Sequence, residues 1–349
     1  MKENETKLTL KDLFPNAEMG LGNIGFLFGA GTSYTAGYPL TWELTKNVLA
    51  KLDQNKTLLL KQILNKESLE LASENGSPDI EIISDILNKH KNIGGIKGID
   101  SLISDIKTGI IEILTSIEKV NYDYHIQFFH ALKKKLANSK SDIWIFTTNY
   151  DLVFETAASM AGVPVFNGFE GINLRYFDIR NLKLQRGTVS NSKFEAIPEP
   201  TIKIVKLHGS ISWEKSEGLV QEKFTGIEKD NSCLILPQRT KVIDTLDSPY
   251  DSLFRLANEI LGNECEYLVS CGFSYRDQHI NDHLIIPKLR SGKINLFALS
   301  KETNAEIRTL SEFNAFKYGT EDSLKIGSIE LQEGTELWDF KKLVDLISK

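Results

Sequence analysis

Two side chains stand out for the chemistry they could do. Asn149 lies in Thr147-Thr148-Asn149-Tyr150-Asp151, just past the apolar run Ile143-Trp144-Ile145-Phe146. A carboxamide at the carboxyl end of a strand accepts and donates at once, so it can orient a water or a ribose hydroxyl. The competing reading is a turn in which Asn149 and Asp151 cap a helix starting near Leu152. His208 follows the run Ile202 to Leu207 and precedes Gly209, which keeps its imidazole sterically open. A neutral imidazole near pH 7 can take a proton from a hydroxyl or a water. A lone histidine is more often structural, and that reading suits His90, His125, His130, His279 and His283. His279 and His283 stand one helical turn apart, but no H-E-x-x-H pattern or nearby cysteine supports a metal, and a shared helix face explains them better.

A third feature could hold a phosphate. Gly29-Ala30-Gly31-Thr32-Ser33 directly follows the β-branched and aromatic run Ile24 to Phe28 and reads as strand, tight turn and helix start. Small residues let the backbone approach a pyrophosphate, and free N–H groups at a helix start bind its oxygens. The standard dinucleotide fingerprint is absent, because its third glycine would fall at Tyr34. A further turn, Gly272-Phe273-Ser274-Tyr275-Arg276-Asp277, follows the run Tyr267 to Cys271.

In this order the four motifs GAGTS, TTNYD, LHGS and GFSYRD resemble the sirtuin (silent-information-regulator) superfamily, and more closely its sirtuin-like, NAD-hydrolysing branch in bacterial antiphage defence. The resemblance spans roughly residues 20 to 300. It implies NAD as substrate, with Asn149 positioning the ribose and the attacking water and His208 as the catalytic histidine. It implies cofactor contacts at Gly29, Ala30, Gly31, Thr32, Ser33, Asp151, Gly272, Ser274 and Asp277, the last as a contact or a helix N-cap. The strand Ile294 to Leu299 lies where the family recognises the adenosine half. Two departures set the chain apart from sirtuin deacylases. Pro39 is followed by Leu40-Thr41-Trp42 where deacylases typically continue Asp-Phe-Arg. The three cysteines, Cys233, Cys265 and Cys271, form no Cys-x-x-Cys pair, so a four-cysteine zinc ribbon cannot be built.

The elements that must position these residues alternate. Strand-like runs at 24–28, 143–146, 202–207, 267–271 and 294–299 alternate with helical patterns at 151–161, 253–261, 277–289 and 337–347. The expected fold is α/β: a Rossmann-like, mainly parallel sheet with helices on both faces and no zinc ribbon. A helical insertion over about 45–138 and a small, hairpin-rich lobe over about 168–232 elaborate a single sirtuin-like domain across 1–349, with a short tail after residue 300. Cys265 and Cys271 read as buried thiols in a reducing compartment.

Bulk properties narrow the classes. A net charge of −6 argues against a large nucleic-acid footprint, and Lys133-Lys134-Lys135 reads as the solvated end of a helix. No apolar run approaches a membrane span and the polar N-terminus is no signal peptide, so a cytoplasmic protein is expected. The expected activity is NAD glycohydrolysis, giving nicotinamide and ADP-ribose and depleting NAD in abortive infection. The alternatives are an NAD-dependent protein deacylase and a non-catalytic NAD- or ADP-ribose-sensing module that gates a partner. A dehydrogenase fits least, because the acidic residue expected beyond the glycine turn has no convincing candidate; Asp53 lies in a helical pattern. The resemblance further implies a homo-oligomer, with the helical insertion as its surface, and a HerA-type hexameric ATPase as partner chain.

Overall fold

The computed structural model describes residues 8–14, 23–71, 78–137, 142–224, 232–234 and 248–349, with the Cys233 side chain outside the description. The chain opens with α1 (Leu10–Leu13), β1 (Ile24–Phe28) and α2 (Ala30–Tyr34), then α3 (Thr41–Leu49), α4 (Gln54–Lys66), α5 (Ile80–Ile93), α6 (Ile99–Thr115) and α7 (Asp123–Lys135). It continues with β2 (Asp142–Thr147), α8 (Val153–Met160), β3 (Val165–Phe166), β4 (Phe169–Glu170), β5 (Arg175–Phe177), β6 (Gly187–Ser190) and β7 (Lys193–Ala196). Next come β8 (Thr201–Lys206), β9 (Gly209–Ser216), β10 (Leu219–Glu222), β11 (Ser232–Leu234), α9 (Tyr250–Ile260) and β12 (Tyr267–Cys271). Then α10 (Gln278–Ile280) runs through a π-helical turn at Asn281–Ile285 into α11 (Ile286–Arg290), followed by β13 (Asn295–Leu299) and α12 (Ala305–Leu310). The chain closes with β14 (Phe316–Gly319), β15 (Leu324–Ile326), β16 (Ile329–Leu331) and α13 (Phe340–Ser348).

A nine-stranded sheet runs β16-β15-β14-β13-β12-β1-β2-β8-β3. Every pairing from β14 to β3 is parallel, and only β15 and β16 join antiparallel. Strands buried on both faces need continuous apolar runs, and β1, β12 and β13 have them. Phe26 and Phe28 face one side with Ile143, Ile145, Ile202 and Ile204, under α7, α8 and α13. Leu27, Trp144, Phe146, Val205 and Leu207 face the other, under α9 and the α10–α11 segment. The expected mainly parallel, two-sided α/β architecture is the one observed.

The segment after residue 300 is more than a tail. β14 extends the parallel sheet beside β13, and Phe340 of α13 packs 5.7 Å from Phe28 and 5.8 Å from Phe128. Short strands such as Phe316–Gly319 alternate too briefly to announce themselves. Within the insertion, α3 to α6 share a third core through Leu44, Val48, Leu60, Ile83, Leu102 and Ile106, which also takes in Tyr150, Val153 and Ile211. α7 does not join that core; its Phe128, Phe129 and Leu132 lie against the sheet. Trp42 on α3 is 62% exposed, while Leu44 and Val48 are buried.

β8 leads almost directly into β9 of a second, antiparallel sheet, order β11-β9-β10-β5-β4. This sheet and the β6–β7 hairpin form the small lobe. Its polar interior is tied by Glu222, which accepts Asn167 at 3.0 Å and pairs with Arg175.

Candidate active site

Parallel register decides which residues meet. Phe28 aligns with Cys271 on one side and Thr147 on the other, Thr147 with Lys206, and Cys271 with Leu299. These strands therefore end on one line. The residues that follow, Gly29, Thr148-Asn149, Leu207-His208 and Gly272, emerge together at the carboxyl edge of the sheet. The order reverses at β1, with β2 and β8 to one side and β12 and β13 to the other. The crevice beyond such a reversal is where open α/β sheets bind ligands.

The two glycine turns interlock there. A Cβ on Gly29 would lie 2.5 Å from the Gly272 carbonyl oxygen, and one on Gly31 would lie 2.7 Å from Gly272 Cα. Gly272 itself has φ +66, and its Cβ would meet Thr32 N at 2.5 Å. Only glycine admits this contact of backbone on backbone. Gly31 N–H donates to Gly272 O at 3.1 Å and Gly29 N–H to Cys271 O at 3.2 Å. Thr32 N–H donates to Gly29 O at 3.0 Å, so these donors serve the turn itself. The turn expected to offer free N–H groups thus spends several of them on fixing its own shape.

Asn149 locks onto this turn. Its Nδ2 donates to Gly29 O at 3.1 Å and to Ser33 Oγ at 2.9 Å, and its backbone N–H donates to Thr147 Oγ1 at 3.0 Å. A carbonyl at Gly29 requires a donor, which sets the amide orientation and leaves Oδ1 to accept from elsewhere. Asp151 Oδ1 accepts Val153 N–H at 3.0 Å, a turn just ahead of α8, whose N-cap is Leu152. Asp151 thus makes the turn ahead of α8, while the Asn149 carboxamide faces the glycine turn.

His208 pairs with Asp277. Nε2 lies 2.8 Å from Asp277 Oδ2, and the two side chains are 9% and 7% exposed. Asp277 Oδ1 accepts Ile280 N–H at 3.2 Å and so caps α10 as well. The Tyr150 ring stands 6.3 Å from the imidazole. Burial first, then the Glu81 and Asp277 carboxylates, push the Tyr150 hydroxyl well above its ordinary value and keep it a neutral donor. Ser274 is exposed, and its carbonyl accepts Asn304 Nδ2 at 2.6 Å.

Several of these supports carry little local signal. Lys206, at the end of β8, is buried; its Nζ donates to the Asp151 carbonyl and stands 3.1 Å from Glu155 Oε1. Burial raises the Glu155 carboxyl and the Lys206 charge opposes that rise. A lysine inside an apolar strand run is the trace this pairing leaves in the sequence. Arg276 reaches Asp79, the N-cap of α5, at 3.7 Å, which ties the second glycine turn to the helical layer. His279 and His283 pack ring on ring at 4.9 Å, with Phe254 4.5 Å from His279. Among the described residues no group of three or more His, Cys, Asp or Glu could hold a metal, and no helix is long and apolar enough to cross a membrane. Cys265 and Cys271 are buried, and burial pushes both thiols far above their ordinary value.

A search of curated proteins finds no match to this chain. Residues 144–314 match the family model of the SIR2-like domain, a segment holding Asn149, His208, Gly272 and Asp277. The first glycine turn lies outside the match and joins it through the β1 register and the Gly31–Gly272 contact. Over that segment, seated on this sheet edge, the chain carries a SIR2-like domain and is similar to the sirtuin-like family.

Proposed function

We propose that the protein is an NAD glycohydrolase that releases nicotinamide and ADP-ribose. The SIR2-like domain supports an NAD-related function. The observation that carries the finer reading is the meeting of Asn149, His208 and the two glycine turns at one sheet edge, where the strand order reverses.

Nicotinamide leaves NAD as a neutral molecule from a cationic ring, so rupture of its bond to ribose C1′ builds positive character on the sugar. A water attacks C1′, the C1′–N electron pair departs with nicotinamide, and the proton of the water passes to a base. Asn149 Oδ1 would hold the water or a ribose hydroxyl, and His208 would take the proton. The interlocked turns, with Thr32 and Ser33, would set the pyrophosphate, and the buried edge would limit competing solvent. Asp151 and Ser274 are proposed as further cofactor contacts, Asp151 through the turn it shapes.

This reading extends to NAD depletion in antiphage defence, with restraint by self-assembly or by a HerA-type ATPase. That extension rests on the motif resemblance. The test is product analysis with NAD alone and with NAD plus an acyl-lysine peptide. A glycohydrolase forms ADP-ribose in both, whereas a deacylase forms acyl-ADP-ribose and only with the peptide. A sensing module binds NAD and consumes none.

A further inference from the structure

We propose that Asp277 is a positioning residue, which holds His208 in one tautomer and one orientation toward the reacting ribose. The proposal rests on the NAD reading above. A carboxylate only accepts hydrogen bonds, so at 2.8 Å the proton between the two groups sits on His208 Nε2. The basic lone pair of the neutral ring is then on Nδ1. The carboxylate is held at both ends, because Oδ1 accepts the Ile280 amide at 3.2 Å while Oδ2 faces the imidazole. Nearly buried on both sides, the pair cannot trade partners readily with water.

A helix cap alone needs one acceptor, and Ser or Asn would supply it. The second oxygen, reaching a histidine 69 residues away, is what a cap does not explain. When Nδ1 takes the proton of the attacking water, the imidazolium charge develops beside the Asp277 carboxylate, which stabilises it and itself gains no proton. The neighbouring Arg276 turns the other way, to Asp79 at 3.7 Å. One turn thus touches the glycine loop through Gly272, the imidazole through Asp277 and the helical layer through Arg276.

The test compares wild type with Asp277→Asn and Asp277→Ser. Ser keeps a cap but is too short to reach His208. Asn keeps the cap with its oxygen and turns its amide toward Nε2, which favours the opposite tautomer. Nitrogen NMR on protein with labelled histidine reads the tautomer directly, with His208→Gln assigning the signal. The expected results are an Nε2–H tautomer in wild type and an Nδ1–H tautomer in Asp277→Asn. Turnover should fall roughly 10²- to 10⁴-fold in both variants. An unchanged tautomer in Asp277→Asn, or full turnover in Asp277→Ser, would overturn the proposal. The NMR readout needs no turnover, so a wild type that hydrolyses no NAD would refute the glycohydrolase reading while the tautomer still decides the role of Asp277.

Discussion

Asn149 spends one end of its carboxamide on structure, and the other end is the one proposed for chemistry. Its Nδ2 satisfies the Gly29 carbonyl and the Ser33 hydroxyl, so its oxygen is the end left to act. Replacing that amide by a carboxylate would set an acceptor against a carbonyl. Asn149→Asp should therefore unfold at lower temperature than Asn149→Ala, which only leaves two groups unpaired at about 1–2 kcal/mol. Thermal unfolding of the pair checks the order, and an Asp variant at least as stable as the Ala variant would contradict the amide orientation. At this scale the sequence was enough to place Asn149 and His208 at strand ends, because each follows an apolar run and lies in a turn-like motif. The pairing of His208 with Asp277 was beyond it. Two polar residues 69 positions apart meet only through strand order, and Asp277 carries the local look of an ordinary cap. The same holds for Lys206 and the Asp151 carbonyl.

The turns after β1 and β12 act as a single element, joined by glycine on glycine. Adding a methyl at Gly272 meets both an unfavourable φ of +66 and Thr32 N at 2.5 Å. Gly162 has φ +63 with nothing within 4 Å, so it isolates the backbone cost from the steric one. Gly272→Ala should destabilise by about 2–4 kcal/mol and Gly162→Ala by about 1 kcal/mol in urea titrations. Equal costs would mean that the turns are not in contact. The strands bounding these turns were legible because burial on both faces demands unbroken apolar runs, as in Ile24 to Phe28 and Tyr267 to Cys271. Phe316–Gly319 and the short strands after it were not, since three or four residues with mixed polarity carry no clear period. α7 looked like one more helix of the insertion, and only the shape of the sheet claims its Phe128 and Phe129.

Across the whole molecule, two cores flank the sheet and a third sits under the helical layer. Against the second packs a buried histidine, His125, with its ring 4.9 Å from Phe154 and 4.6 Å from Phe340. Burial lowers its pKa to about 3, against 6.5 in the unfolded chain. A folded value below the unfolded one means the ring folds neutral. Its contribution is present above pH 6.5 and is lost as pH falls toward 3. Between pH 7 and 5 wild type should lose about 2 kcal/mol more stability than His125→Leu, which chemical denaturation at both values measures. Parallel losses in the two proteins would show that the ring is not buried neutral. The same architecture delivers four turns to one edge, where we propose that NAD is hydrolysed. The most direct measurement follows nicotinamide and ADP-ribose release by wild type, Asn149→Ala and His208→Ala, with NAD binding measured alongside. Wild type should release equimolar products, each variant should lose about 10²-fold or more, and His208→Ala should still bind NAD. Wild type that binds NAD and releases no nicotinamide, or His208→Ala that hydrolyses at the wild-type rate, would contradict that proposal.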